Sequence, residues 1–175
     1  MYAGLIRAIA CAGMAFVATA GFAQDSSNRV AAHTDWSVFE ATEPKQCWSV
    51  SSPKETVNTR DGRVVAARRG DILLFVSFIP GSGVKGQVSF TGGYPFRDGS
   101  TVTLDIGDNK FELFTDGEMA WSASDQDDAK IITALKRGAD AVLTGTSSRG
   151  TKTEDTFSLF GFTAAVEEAE KRCGE

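Results

Sequence analysis

The tightest constraint on this fold is a cysteine that closes an amphipathic segment. Phe162, Val166, Ala169 and Cys173 are spaced four, three and four residues apart, which places them on one face of a helix. That face has to be covered, so Cys173 points inward. The only other cysteines are Cys11 and Cys47. Cys11 lies in a stretch with the features of a secretory signal: Arg7 near the start, an apolar run from Ala8 to Ala20, then Gly21-Phe22-Ala23. The run is too short to span a bilayer, and the small residues place cleavage after Ala23. Cleavage removes Cys11 and export puts the remaining thiols in an oxidising compartment. A disulfide between Cys47 and Cys173 is the expected outcome. It would close a loop of 126 residues, for which the chain-entropy picture gives about 4–5 kcal/mol.

The expected division is a signal peptide over 1–23, a flexible polar leader over 24–34, and a single β-rich domain over 35–175. The mature part is about 150 residues, enough to bury a core without metals or many crosslinks. The formal net charge of −5 becomes more negative once Arg7 is lost. That balance argues against nucleic acid or an anionic membrane as partner. No second apolar run is long enough to cross a membrane. A soluble periplasmic protein is expected, either released or associated with the outer membrane, with its oligomeric state open.

The mature sequence reads mainly as strands. Trp36 and Val38 alternate with Ser37 and Phe39, and Gln46 to Val50 carries Cys47 and Trp48 as a second strand. Ser51 to Arg69 is polar and reads as a long loop with a short strand at Val64-Val65. Ile72 to Ile79 is the most apolar stretch and reads as a central strand covered on both faces. Val84 to Thr91 is its hairpin partner. Thr101 to Ile106, the segment around Phe111 and Leu113, and Met119 to Trp121 form a meander joined by Gly107-Asp108-Asn109 and Asp116-Gly117. Ser124 to Arg137 has a capping box, Ser124 with Asp127, acidic residues in its first turn, basic ones in its last, and Gly138 as a stop. Two further strands, 141–146 and 153–159, precede the C-terminal helix. The sum is an antiparallel β-sandwich or barrel-like fold with two short helices, one internal and one C-terminal.

Several short motifs fall away on inspection. Gly81-Ser82-Gly83-Val84-Lys85-Gly86 fits G-x-G-x-x-G, but the residues after it favour a strand where pyrophosphate binding needs a helix. Ser51-Ser52-Pro53-Lys54 fits S-x-x-K without its partner motifs, and Pro53 breaks the helix it requires. Arg69-Gly70-Asp71 is the tripeptide read by integrins, yet it abuts a buried strand. Asp125, Asp127 and Asp128 lack calcium-loop spacing and suit a helix start instead. His33 stands alone in the leader and reads as solvated. Lys54, Arg60, Arg63, Arg68 and Arg69 outnumber Glu55 and Asp61; the group reads first as a solvated loop, with an anionic glycan or lipid headgroup as the alternative. Tyr94, Phe96 and Trp121 could line a small site or simply pack. The sequence therefore offers no catalytic residues, no cofactor site and no metal ligands.

Asp35-Trp36-Ser37-Val38, a cysteine about ten residues further on, and the ending Phe157-Ser158-Leu159-Phe160-Gly161-Phe162-Thr163-Ala164-Ala165 resemble the invasion-associated locus B family. Gly145 to Gly150 is similar to a branch of it from free-living species. These are small exported proteins of alphaproteobacteria, linked by name to host-cell entry, with no established catalytic residues to carry over. Many members have a cysteine near the position of Phe39 and pair cysteines locally; this chain does not, so that pairing is not transferred. The resemblance implies a non-catalytic cell-envelope binding protein whose partner is an envelope protein or glycan. The alternative is a periplasmic enzyme with an unrecognised site.

Overall fold

The computed structural model describes residues 28–174; the expected signal peptide and cleavage site, Cys11 and the first part of the expected leader lie outside them. Twelve strands and two helices are described. They are β1 (Arg29–His33), β2 (Trp36–Thr42), β3 (Lys45–Ser51), β4 (Glu55–Arg60), β5 (Arg63–Val64), β6 (Leu73–Ile79), β7 (Val84–Thr91), β8 (Thr101–Ile106), β9 (Asn109–Asp116) and β10 (Met119–Trp121), then α1 (Asp125–Leu135), β11 (Asp140–Thr146), β12 (Lys152–Ser158) and α2 (Phe162–Cys173). The strands form one sheet in the order β1-β2-β3-β6-β7-β10-β9-β8-β11-β12-β4-β5, and every pairing is antiparallel.

The sheet is not closed into a barrel. It bends over on itself in a sandwich-like arrangement. Phe90 of β7 meets Phe157 of β12 edge-on across the core, 6.1 Å between ring centroids. The Trp36 indole N–H donates to the Ser158 carbonyl at 2.9 Å and joins β2 to the end of β12.

Two strands, β1 and β4, arise where the sequence reads as leader or loop, and β5 falls one residue before the short strand expected at Val64-Val65. β1 occupies part of the leader, and the stretch from Ser51 to Arg69 contains the β4–β5 hairpin rather than a loop with one short strand. All three lie at or next to a sheet edge. Their side chains are mostly exposed on both sides, so no alternation of apolar residues marks them. His33 ends β1 half-buried, with Nε2 enclosed rather than solvated.

β6 also departs from expectation. Leu74, Val76 and Phe78 are buried, while Leu73, Phe75, Ser77 and Ile79 are only half covered. The strand is apolar on both faces, but one of them lies at the surface.

α2 packs on the inner face of β2, β3 and β6. Phe162 meets Trp36 edge-on at 4.8 Å, Ala165, Val166 and Ala169 are buried behind it, and Cys173 is bridged to Cys47 of β3. Gly161 precedes the helix with φ +90°, and a Cβ there would collide with the His33 carbonyl. The chain enters α2 through a contact that only glycine permits.

α1 lies against β7. Ser124 and Asp127 form the capping contact, the Asp127 N–H donating to Ser124 Oγ at 3.2 Å. Asp128 has another task. β10 ends opposite Ser89, and the amide of the preceding residue, Val88, donates to Asp128 Oδ1 at 2.7 Å. A helix side chain thus takes the place of a missing strand. Burial pushes the Asp128 carboxyl above its ordinary value. Folding therefore takes up a proton there, and this contribution is full below the unfolded-state value and fades as pH rises through the folded one. Asp128→Ala should cost about 1–3 kcal/mol by stranding the Val88 N–H. Asp128→Asn keeps an acceptor without the charge. In urea titrations the stability of wild type relative to Asp128→Asn should decline as pH rises above the ordinary Asp value of about 3.9.

Candidate functional site

A cleft of about 460 Å³ opens where several distant segments meet: β4, residues 65–69, the loop around Tyr94, the turn between β9 and β10, and the turn between β11 and β12. Two backbone features build it. Gly70 and Gly93 touch, the Gly70 N–H donating to the Gly93 carbonyl at 2.8 Å. Gly93 has φ +71°, and a Cβ there would come within 2.6 Å of the Gly70 carbonyl oxygen. This contact seats Arg69 under the cleft. On the opposite side the Gly150 N–H donates to the Ser147 carbonyl at 2.8 Å, and the Ser148 N–H to the Pro95 carbonyl at 2.9 Å. That turn holds Arg149 outward at the rim.

The floor is a buried ion pair. Arg69 and Asp155 are 6% and 0% exposed at their side chains and share two hydrogen bonds, 2.7 and 2.6 Å. Arg69 also donates to the Gly92 carbonyl at 2.8 Å and to Asn58 Oδ1 at 3.3 Å. Its guanidinium lies 5.1 Å over the Tyr94 ring. Burial pushes the Asp155 carboxyl upward against the opposing pull of Arg69. Tyr94 is raised too, chiefly by burial, so its hydroxyl stays protonated; it lies 2.6 Å from Thr153 Oγ1.

Each polar group near the floor is thus engaged. Thr151 Oγ1 accepts from Arg60 at 2.6 Å, and Ser147 Oγ accepts the Thr151 N–H at 3.1 Å. Neither hydroxyl sits beside a free base. Arg68 and Arg149 at the rim are exposed, and neither side chain has a hydrogen-bond or ion-pair partner among the described residues. Apart from Asp155 in the floor, Glu118 is the one carboxylate at the cleft among the described residues. The arrangement suits holding an anion better than moving a proton.

A second, wider groove of about 810 Å³ lies on the outer face of β2, β3 and β6. Register lines up Val50, Phe75, Ser89, Trp121 and Phe114 across five strands. Phe39 stacks on Trp48 beside this row at 5.6 Å, and Phe160, 64% exposed, stands at its rim. Its apolar wall is one sheet face, Phe39, Trp48, Val50, Leu73 and Phe75, and its one basic side chain among the described residues, Lys54, is paired with Asp140.

Residues 36–170 match the sequence profile of the invasion associated locus B (IalB) protein family. The chain belongs to the invasion associated locus B family. The crystal structure of invasion associated protein B from Bartonella henselae shares its fold with a TM-score of 0.54 at 17% identity, over 83% of this chain and 98% of that one. The chain matches none of the curated protein sequences.

The family's ending is accounted for by packing. Phe157 and Phe162 are core residues, Gly161 makes the close approach to His33, and Leu159 is buried. Of the basic residues grouped in the sequence, Arg60, Arg68 and Arg69 converge on the cleft, whereas Lys54 pairs with Asp140. Arg69 is tied to Asp155 and cannot be presented to an integrin. Gly81 to Gly86 runs through a 3-10 turn at Pro80–Ser82 directly into β7. Ser51 Oγ donates to the Asp35 carbonyl at 2.7 Å. Tyr94 lines the cleft, Phe96 is buried in the core, and Trp121 sits on the outer face against Phe114. Arg149 and Ser147 were not legible as site residues, because only the folding of the sheet brings them to β4.

Proposed function

We propose that this member of the IalB family is an exported, non-catalytic binding module of the cell envelope, with the arginine-lined cleft as its recognition surface. One observation carries the reading: the groups that could do chemistry in the cleft are engaged with each other, while those at its rim are free. Tyr94 and Asp155, two buried groups with raised pKa beside a recess, are what an active site would offer. Asp155 is held by Arg69, however, and the protonated Tyr94 meets only the Thr153 hydroxyl, which leaves that hydroxyl without a free base beside it. A single disulfide in a chain of this size is compatible with an oxidising compartment, and no described helix is long and apolar enough to cross a membrane. The partner would be an envelope protein or glycan.

Fractionation of the native bacterium should place the chain in the periplasm without residues 1–23. Affinity capture from that extract should retain one partner or glycan reproducibly, and retention should weaken when Arg68 and Arg149 are both replaced by Ala. A substrate screen that finds turnover abolished by Tyr94→Phe, with no partner retained, would establish the enzyme instead.

A further inference from the structure

We infer that the cleft binds an oxyanion group, a phosphate or sulfate carried on a saccharide or on a lipid headgroup. The inference deepens the binding reading above and rests on it. Arg60, Arg68 and Arg149 come from three separate segments to one recess of about 460 Å³. A volume of this size suits a small ligand rather than a lone ion. The chain as a whole is acidic, with net charge −5, so a local concentration of guanidinium groups runs against its average. Charge repulsion among unpaired arginines costs stability unless something relieves it. Arg69 does not supply the attraction, because Asp155 neutralises it below the floor.

The remaining guanidinium groups are presented differently. Arg60 is oriented by Thr151, while Arg68 and Arg149 reach solvent. Guanidinium forks match the paired oxygens of phosphate and sulfate, which makes arginine rather than lysine the residue for such a site. Ser148, exposed on the same turn as Arg149, adds a hydroxyl that can donate to an oxyanion or a sugar. Glu118 faces this group as the opposing charge. It would disfavour a cluster of negative charges and favour a ligand with one anionic group on a neutral frame.

The test is isothermal titration of the mature protein with glucose 6-phosphate, with glucose, and with vesicles of phosphatidylglycerol or phosphatidylcholine. Binding is expected to glucose 6-phosphate, to phosphatidylglycerol vesicles, or to both, without binding to glucose or phosphatidylcholine, and should weaken with added salt. Glucose 6-phosphate alone would identify a soluble ligand. Phosphatidylglycerol alone would identify a headgroup. The double variant Arg68→Ala/Arg149→Ala should lose affinity by about tenfold or more with no fall in melting temperature, since both side chains are exposed and unpaired among the described residues. Glu118→Gln should tighten binding.

Equal binding of charged and neutral probes, no binding of any, or an affinity indifferent to the double variant would overturn the oxyanion site. Phosphorus NMR of the same mixture separates the two readings. Release of inorganic phosphate by the protein would overturn the non-catalytic reading while leaving an anion site, and absence of binding would remove the site while leaving the non-catalytic reading in place.

Discussion

Asp155→Ala should destabilise the protein by about 3–5 kcal/mol, because it leaves the Arg69 guanidinium buried without a counter-charge. Arg69 is always protonated, so this loss should not recover at any accessible pH. Arg69→Met should also be costly at neutral pH but should behave differently on acidification. Without arginine the buried Asp155 loses the interactions that hold its pKa down, and burial already pushes it up. For a carboxyl whose folded value is raised, the protonated form is favoured by folding, and stability falls as pH rises through that value. The deficit of Arg69→Met should therefore shrink as pH falls, while that of Asp155→Ala persists. The double variant Arg69→Met/Asp155→Leu removes both charges and should lie close to wild type, since hydrophobic replacement of a buried pair is often neutral. Urea denaturation at two pH values checks these expectations, and adding the single variant Asp155→Leu closes the cycle and gives the coupling. A double variant as unstable as the worse single one would mean that Arg69's contacts with Gly92 and Tyr94, rather than the ion pair, hold the cleft floor.

That pair also shows what was readable in the sequence and what was not. The C-terminal helix, the capping box and the meander are local patterns, and the structure has all of them. Arg69 and Asp155 are 86 residues apart, and no spacing rule connects them. Yet Asp155 alternates with Thr153 and Phe157 on the inward side of a strand, and a carboxylate in such a position demands a buried partner. Asp128 carried a similar signal, three and seven residues before the buried Ile131 and Leu135. Asp125 and Asp127 beside it suit a helix start, whereas Asp128 bonds to β7. The strands β1 and β4 leave no such trace, since strands wetted on both faces need no apolar alternation; β5 shows only as the short strand expected at Val64-Val65. The cleft was invisible for a further reason: its arginines are ordinary surface residues until the sheet folds Arg149 towards Arg60.

Cys173→Ser should give a folded protein weakened by about 2–5 kcal/mol. The bridge joins residues 126 apart in sequence, so most of the domain lies inside the loop it closes, and releasing it returns a large conformational freedom to the unfolded chain. The native state loses its fastening at one end of α2 only. At the N-terminal end Phe162 remains packed on Trp36, and Ala165 and Val166 stay buried. At the C-terminal end what remains is polar: Arg172 bonded to Glu40 at 2.9 Å and to Glu168 at 2.7 Å. Partly exposed pairs of this kind contribute little, and a helix of 12 residues is marginal without tertiary contacts. Hydrogen exchange should therefore show the amides near Cys173 losing protection first, with those near Val166 retaining it. Cys47 is fully buried, so its freed thiol should not drive dimerisation. Non-reducing peptide mapping of the wild type purified from its native bacterium should recover the Cys47–Cys173 crosslink. Free thiols at both positions, or a Cys47–Cys47 dimer as the main species, would refute the bridge as the element that fixes the end of α2 to β3.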